Sequence, residues 1–168
     1  SARTAYFPRG LSAATGEDVP IGLSLRARMV IASVGRDDID PAKLTILQEG
    51  AAAGTLAEAM AGYVQSLARR AEDLPAVLAV RLLELRKEGT GDHRRSPDNY
   101  ASQMLGIEQF LAFAEEEGAI SSEEMANRRA QAAAALISSA AEQDSGQINE
   151  KPAERFRHLI EAALAGGR

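Results

Sequence analysis

The sequence predicts a mainly α-helical protein, a helical bundle of about five helices preceded by a short β segment. Three observations point there. Of 168 residues, 45% are hydrophobic, but 4% are aromatic and none is Trp. Alanine therefore carries much of the apolar count, which favours closely packed helices over a sandwich of aromatic and β-branched strands. Helix-start signals recur at Asp40-Pro41, Asp73 with Pro75, Ser96-Pro97, Ser121 with Glu124, and Pro152. A short run carrying Val30, Ile31 and Val34 has the β-branched character of a strand instead. A chain of this length fits one domain and can bury a core.

Residues 1–36 make up the β segment and residues 40–165 the helical domain. Tyr6-Phe7 can pair with a neighbouring strand, which Pro8 would confine to an edge. Leu11 to Ala14 and Met29 to Val34 read as two short strands, with a loop from Thr15 to Arg28 between them. Gly16 and Gly22 permit tight turns, and Pro20 fixes the backbone between them. Arg26 and Arg28 stand two apart, so on an extended segment they share a face. A guanidinium is a rigid fork of donors that matches phosphate oxygens. The pair reads as an anion-binding site or as ordinary solvated charge. Without a neighbouring sheet, residues 1–34 form a hairpin across the helices, stay loose, or pair with another copy. Gly35 to Asp40, polar and acidic, is the expected hinge.

The helices follow in order. Asp40 caps the first, with Pro41 at its first position, and it is expected to run to about Ala71. Leu56, Met60, Val64 and Leu67 keep to one face, and Gly54 weakens the middle. Asp73 and Pro75 restart a helix whose core side is Val77, Leu78, Leu82 and Leu85, with Gly89 as its stop. Arg81, Arg86 and Lys87 lie outside that stripe. Ser96 is expected to cap the next helix, running to about Glu117, with Tyr100, Met104, Ile107 and Leu111 as its stripe and Phe110 and Phe113 widening it. Ser121 and Glu124 have capping-box spacing before an alanine-rich helix anchored by Leu136 and Ile137. Pro152 opens the last helix, whose apolar face is Phe156, Leu159, Ile160, Ala163 and Leu164.

Between Gly89 and Pro97 lies a turn-rich loop carrying His93, Arg94 and Arg95. Basic groups beside a helix N-terminus suit a phosphate, and these three are the candidate DNA-binding residues. The competing reading is a solvated loop whose arginines pair with nearby acids. No aromatic residue interleaves with them, so base stacking is not indicated.

One resemblance spans most of the chain. Thr15-Gly16-Glu17-Asp18-Val19-Pro20, then Ser24-Leu25-Arg26-Ala27-Arg28, then a hydrophobic strand, resembles the tail of the ATPase core in helicase and primase-polymerase proteins of actinobacterial phages and integrative elements. His93-Arg94-Arg95, Gly106 to Ala114 and Arg155 to Leu164 resemble the region that follows that core. The resemblance implies that the β segment is the remnant of an ATPase sheet. Thr15 would end a sensor strand, with Glu17 and Asp18 also near the nucleotide. Arg28 would be the phosphate-facing catalytic arginine and Arg26 the second choice. It further implies ATP and Mg as cofactors of a parent protein, none in this chain itself, and an upstream ATPase domain as partner. The sequence departs from that pattern in two respects, the first being that no strand ending in acidic residues suits a Walker B role. Its three lysines, Lys43, Lys87 and Lys151, include none in a Gly-Lys-Ser/Thr setting, so a P-loop is missing. By this reading the chain is a C-terminal piece that should not hydrolyse ATP alone.

Composition bounds the alternatives. A net charge of −5 argues against non-specific polyanion binding by the whole surface. No cysteine is present, and the two histidines lie far apart, so no metal site is expected. No apolar run approaches a membrane span. The first residues lack an apolar signal region, so a cytoplasmic location is expected. DNA and a second copy of the chain remain candidate partners. Glu17 and Asp18 make a poor acid–base pair, because adjacent side chains on an extended segment point to opposite faces. The main alternative to the ATPase reading is a helical protein-interaction module with no nucleotide role.

Overall fold

The computed structural model describes residues 13–17, 23–26, 28–89, 95–148 and 152–166. Among them the protein is mainly helical. A single turn, α1 (Leu23–Arg26), and a 3-10 turn (Arg36–Asp38) precede six longer helices. These are α2 (Pro41–Ala52), α3 (Thr55–Arg69), α4 (Leu74–Glu88), α5 (Ser96–Glu116), α6 (Ser122–Ile148) and α7 (Pro152–Ala165). No helix among the described residues is long and apolar enough to cross a membrane.

The core lies where α4, α5 and α6 meet. Leu85 from α4 and Tyr100, Ala101 and Met104 from α5 are buried together. Leu82, Leu105, Ile107, Ala132, Ala133 and Leu136 pack around them. The stripe expected on α5 is present, with Leu111 also buried. Small residues let the helices approach: a Cβ on Gly89 would lie 2.9 Å from the Cα of Pro97 and 3.1 Å from the Tyr100 ring. On α4 the expected stripe holds in part, because Val77 is exposed while Leu85 is fully covered.

The corner between α5 and α6 is set by local chemistry. Gly118 takes the left-handed conformation, with φ 70°. Its amide donates to Glu115 O and that of Ala119 to Ala114 O, satisfying the last carbonyls of α5. The capping box then starts α6: Glu124 N donates to Ser121 Oγ at 3.2 Å, and Ser121 N donates to Glu124 Oε2 at 3.1 Å.

Asp40 caps α2 as expected, accepting from the amides of Ala42 and Lys43. The expected single helix from Pro41 to Ala71 is instead two. Gly54 adopts φ 88°, a left-handed conformation open to glycine, and the chain turns there. Asp73 makes no side-chain cap, and Arg95 rather than Ser96 occupies the cap position of α5. α3 reaches the body through an aromatic cluster: Tyr63 lies 5.4 Å from Phe110 and 5.6 Å from Phe113, centroid to centroid. Its face carrying Leu56, Met60 and Val64 is turned to solvent.

The expected strand at 29–34 does not form among the described residues; strand pairing for residues 1–12 lies outside them. The reason is visible in the hydrogen bonding. Side chains, not a neighbouring strand, take up this backbone. Asn99 Nδ2 and Gln143 Nε2 donate to Met29 O at 3.4 and 3.3 Å. Gln143 Nε2 also donates to Arg26 O at 2.8 Å, and Ser139 Oγ to Ile31 O at 2.7 Å. α5 and α6 thus hold the segment against the helical body. The expected hinge at Gly35 to Asp40 contains the 3-10 turn, closed by Gly35 N donating to Asp38 Oδ2.

Candidate functional site

Arg26 and Arg28 do not share the face of an extended strand. Arg26 ends α1, and the turn continues through Arg28 N to Leu25 O and Met29 N to Arg26 O. Helical rotation separates the two side chains where an extended backbone would align them.

The segment held by α5 and α6 brings Arg28 to the start of α5. There Arg28, Arg95, Asp98 and Asn99 line an open cleft of about 280 Å³. Two basic stretches that the sequence separates widely thus contribute to one place. Arg86, from the last turn of α4, joins through its Nε at 2.7 Å from Asp98 Oδ1. Three arginine residues and one aspartate therefore gather at the amino end of a helix, whose dipole also favours negative charge. This arrangement can receive a phosphate-like anion as a surface feature, with Asp98 limiting its net positive charge.

The other sequence candidates fall elsewhere. Thr15 and Glu17 line a separate groove of about 660 Å³ between residues 14–17 and 29–34. Arg28 does not line that groove. Asp18, His93 and Arg94 lie outside the described residues. Among the described residues no group of three or more carboxylate or imidazole side chains is placed to share a metal ion.

The most developed polar constellation was missed from sequence. Glu108 of α5 receives a fork from Arg81 of α4, with Nε at 2.8 Å from Oε2 and Nη2 at 2.7 Å from Oε1. Arg129 of α6 adds Nε at 2.7 Å from Oε1. Arg81 also reaches Glu84, and Arg129 reaches Glu88 at 3.0 Å. Tyr100 OH donates to Glu88 Oε2 at 3.5 Å. One carboxylate thus ties three helices together. The Arg81 hydrogen bond holds the Glu108 carboxyl below its ordinary range; burial opposes this, and Arg129 reinforces it. Both arginines are raised, in each case first by the bond to Glu108. Burial, then Glu88, raises Tyr100. Two guanidinium groups meet three carboxylates here and every one of the five is engaged in an ion pair, so the network clamps the helices together. Its sequence signal was Glu108 standing beside Ile107 in an otherwise apolar stripe, with Arg81, Glu84 and Glu88 at helical spacing on α4.

No protein-family model matches this chain, and neither the curated proteins nor the solved structures yield a match.

Proposed function

We propose that this chain is the C-terminal part of a mobile-element DNA helicase or primase ATPase, supplying phosphate-sensing arginines and a helical domain for DNA contact or assembly. The observation that supports this reading is the cleft where Arg28 and Arg95 meet. The two candidate sets, one for a nucleotide phosphate and one for a DNA backbone, share it. On this proposal residues 1–36 are the tail of an ATPase core whose sheet lies upstream. Phosphates and magnesium would be held by that upstream part, because no P-loop lies in this sequence. Arg28 would contribute positive charge toward the terminal phosphate.

The test is DNA binding by the chain across a salt series, paired with ATPase turnover of the complete protein. Binding should weaken with salt, each lost phosphate contact lowering the slope by about 0.7 to 0.9. Arg95→Ala should reduce that slope, and Arg28→Ala should abolish turnover while leaving the helical circular dichroism intact. Salt-insensitive or absent binding, together with normal turnover in Arg28→Ala, would end this reading. The second reading, a helical interaction module with no nucleotide role, is favoured by the apolar side chains that α2 and α3 leave exposed.

A further inference from the structure

Arg28 is exposed, and its place in the cleft depends on where its backbone is held. The local turn fixes only neighbouring atoms: Arg28 N donates to Leu25 O at 3.0 Å and Met29 N to Arg26 O at 2.9 Å. One side chain of α6 ties that turn to the helical body. A glutamine amide nitrogen carries two hydrogens. Gln143 Nε2 donates to Arg26 O at 2.8 Å and to Met29 O at 3.3 Å, and these two carbonyls bracket Arg28. From α5, Asn99 Nδ2 donates to Met29 O at 3.4 Å, and Asn99 also lines the cleft. Gln143 does not line it. It is half-buried, uncharged, and 117 positions along the chain from Arg26.

Resting on the phosphate reading of this cleft, we propose that Gln143 is its positioning residue: it touches no anion itself and holds Arg28 beside Arg95, so that both arginines serve one phosphate group. Geometry selects Gln143 first. One bond would let the turn pivot about a single carbonyl, whereas bonds to a carbonyl on each side of Arg28 stop that pivot. Chemistry agrees. Carbonyl oxygens need a donor, and an uncharged donor leaves the attraction of the anion to the arginines. Preorganisation supplies the energetic link. Gathering two long arginine side chains around an anion costs conformational entropy, and backbone fixed beforehand reduces what binding must order. A residue without charge and outside the cleft can change phosphate affinity only through the groups it holds, and Gln143 holds the backbone of Arg28.

The experiment is a titration of the full chain with inorganic pyrophosphate, followed through the Nε signals of Arg28 and Arg95 by NMR. It compares the wild type, Gln143→Met, Arg28→Ala and the double variant, with circular dichroism on each. Methionine matches glutamine in length and has no hydrogen to donate. Gln143→Met should weaken pyrophosphate binding about threefold to tenfold, and should have no further effect once Arg28 is alanine. Amide exchange at Arg28 and Met29 should quicken while the amides of α5 and α6 keep their protection, which separates a released turn from an unfolded helix. A Gln143→Met chain that binds pyrophosphate as tightly as the wild type overturns the proposal and leaves the phosphate reading standing. An equal loss with and without Arg28 overturns it too, because Gln143 would then act elsewhere. A wild type whose Arg28 and Arg95 signals ignore pyrophosphate overturns the phosphate reading, and the role of Gln143 with it. Repeating the titration with ATP and with a short DNA duplex distinguishes the two sources of phosphate. The dependence on Gln143 should accompany whichever moves the Arg28 signal, and its absence from both overturns the proposal.

Discussion

The α4–α5–α6 body and the consecutive helices α2 and α3 use similar residues to different ends. In the body, Leu85 and Met104 are fully covered, and Glu108 binds arginines from the helices on either side. In α2 and α3, leucine, isoleucine, valine and methionine are equally frequent, yet the single buried residue is a serine. The difference teaches that an apolar stripe specifies a face to be covered, not the surface that covers it. In the body the covering surface is in the same chain. In α2 and α3 the same physical demand is left open, and the two helices are joined at a left-handed glycine rather than by a shared core.

Stability measurements would test this contrast most directly. Leu85→Ala should cost about 2–5 kcal/mol by urea unfolding in dilute solution, the range for emptying a filled core position. Ile46→Ala should fall within about 0.5 kcal/mol, as for surface changes. Similar costs for the two would abolish the distinction. Glu108→Ala should come next, at about 2 kcal/mol. It leaves Arg81 and Arg129 facing each other, and the partial exposure of both arginines moderates the loss.

The same carboxylate makes a pH signature. Its folded value lies below the ordinary 4.5, so as pH falls the unfolded chain takes up the proton first. The contribution of Glu108 is complete above the ordinary value and is lost as pH drops through the lower folded one. Glu108→Gln should therefore show a flatter loss of stability below about pH 4.5 than the wild type; parallel curves would remove Glu108 as the source. The most local effect is expected where the body holds the extended segment. Ser139→Ala with Gln143→Ala should cost about 1 kcal/mol per lost hydrogen bond. Proteolysis near residues 26–31 should accelerate while the melting of the helices stays unchanged. Equal protection in this variant would show that other contacts hold the segment.

Much of the helical framework was legible because its signals are local. The Asp40 cap, the Ser121–Glu124 box and the Tyr100, Met104 and Leu111 stripe are patterns within a few residues, and each is present. The break at Gly54 was marked as a weak point, but glycine alone does not say whether a helix bends or ends. Pairings between distant residues left little trace. Arg81 reads only as lying outside the apolar stripe of α4, because nothing near it in sequence names Glu108 as its partner. The convergence of Arg28 and Arg95 depends on Asn99, Ser139 and Gln143 gripping carbonyl oxygens. Such recognition involves no side chain of the segment it holds, so the segment's composition could not reveal it. Its β-branched residues favoured an extended backbone, but a strand also requires a neighbour.

The α5–α6 corner has a consequence for the order in which the chain assembles. Its bonds are short-range, the longest joining Ser122 to Glu115, seven positions apart. Arg81 and Glu108 are separated by 27 positions, Glu88 and Arg129 by 41, and Gln143 and Arg26 by 117. Loop-closure entropy grows with the logarithm of separation, so the last of these costs about 2.5 kcal/mol more to close than the corner. The corner is therefore the cheapest place to start, and α5 and α6 can zip together from it. Docking of α4 through Glu108 follows, and capture of residues 26–31 comes last. Among these contacts, the cleft that Arg28 completes is thus the one whose closure costs most chain entropy.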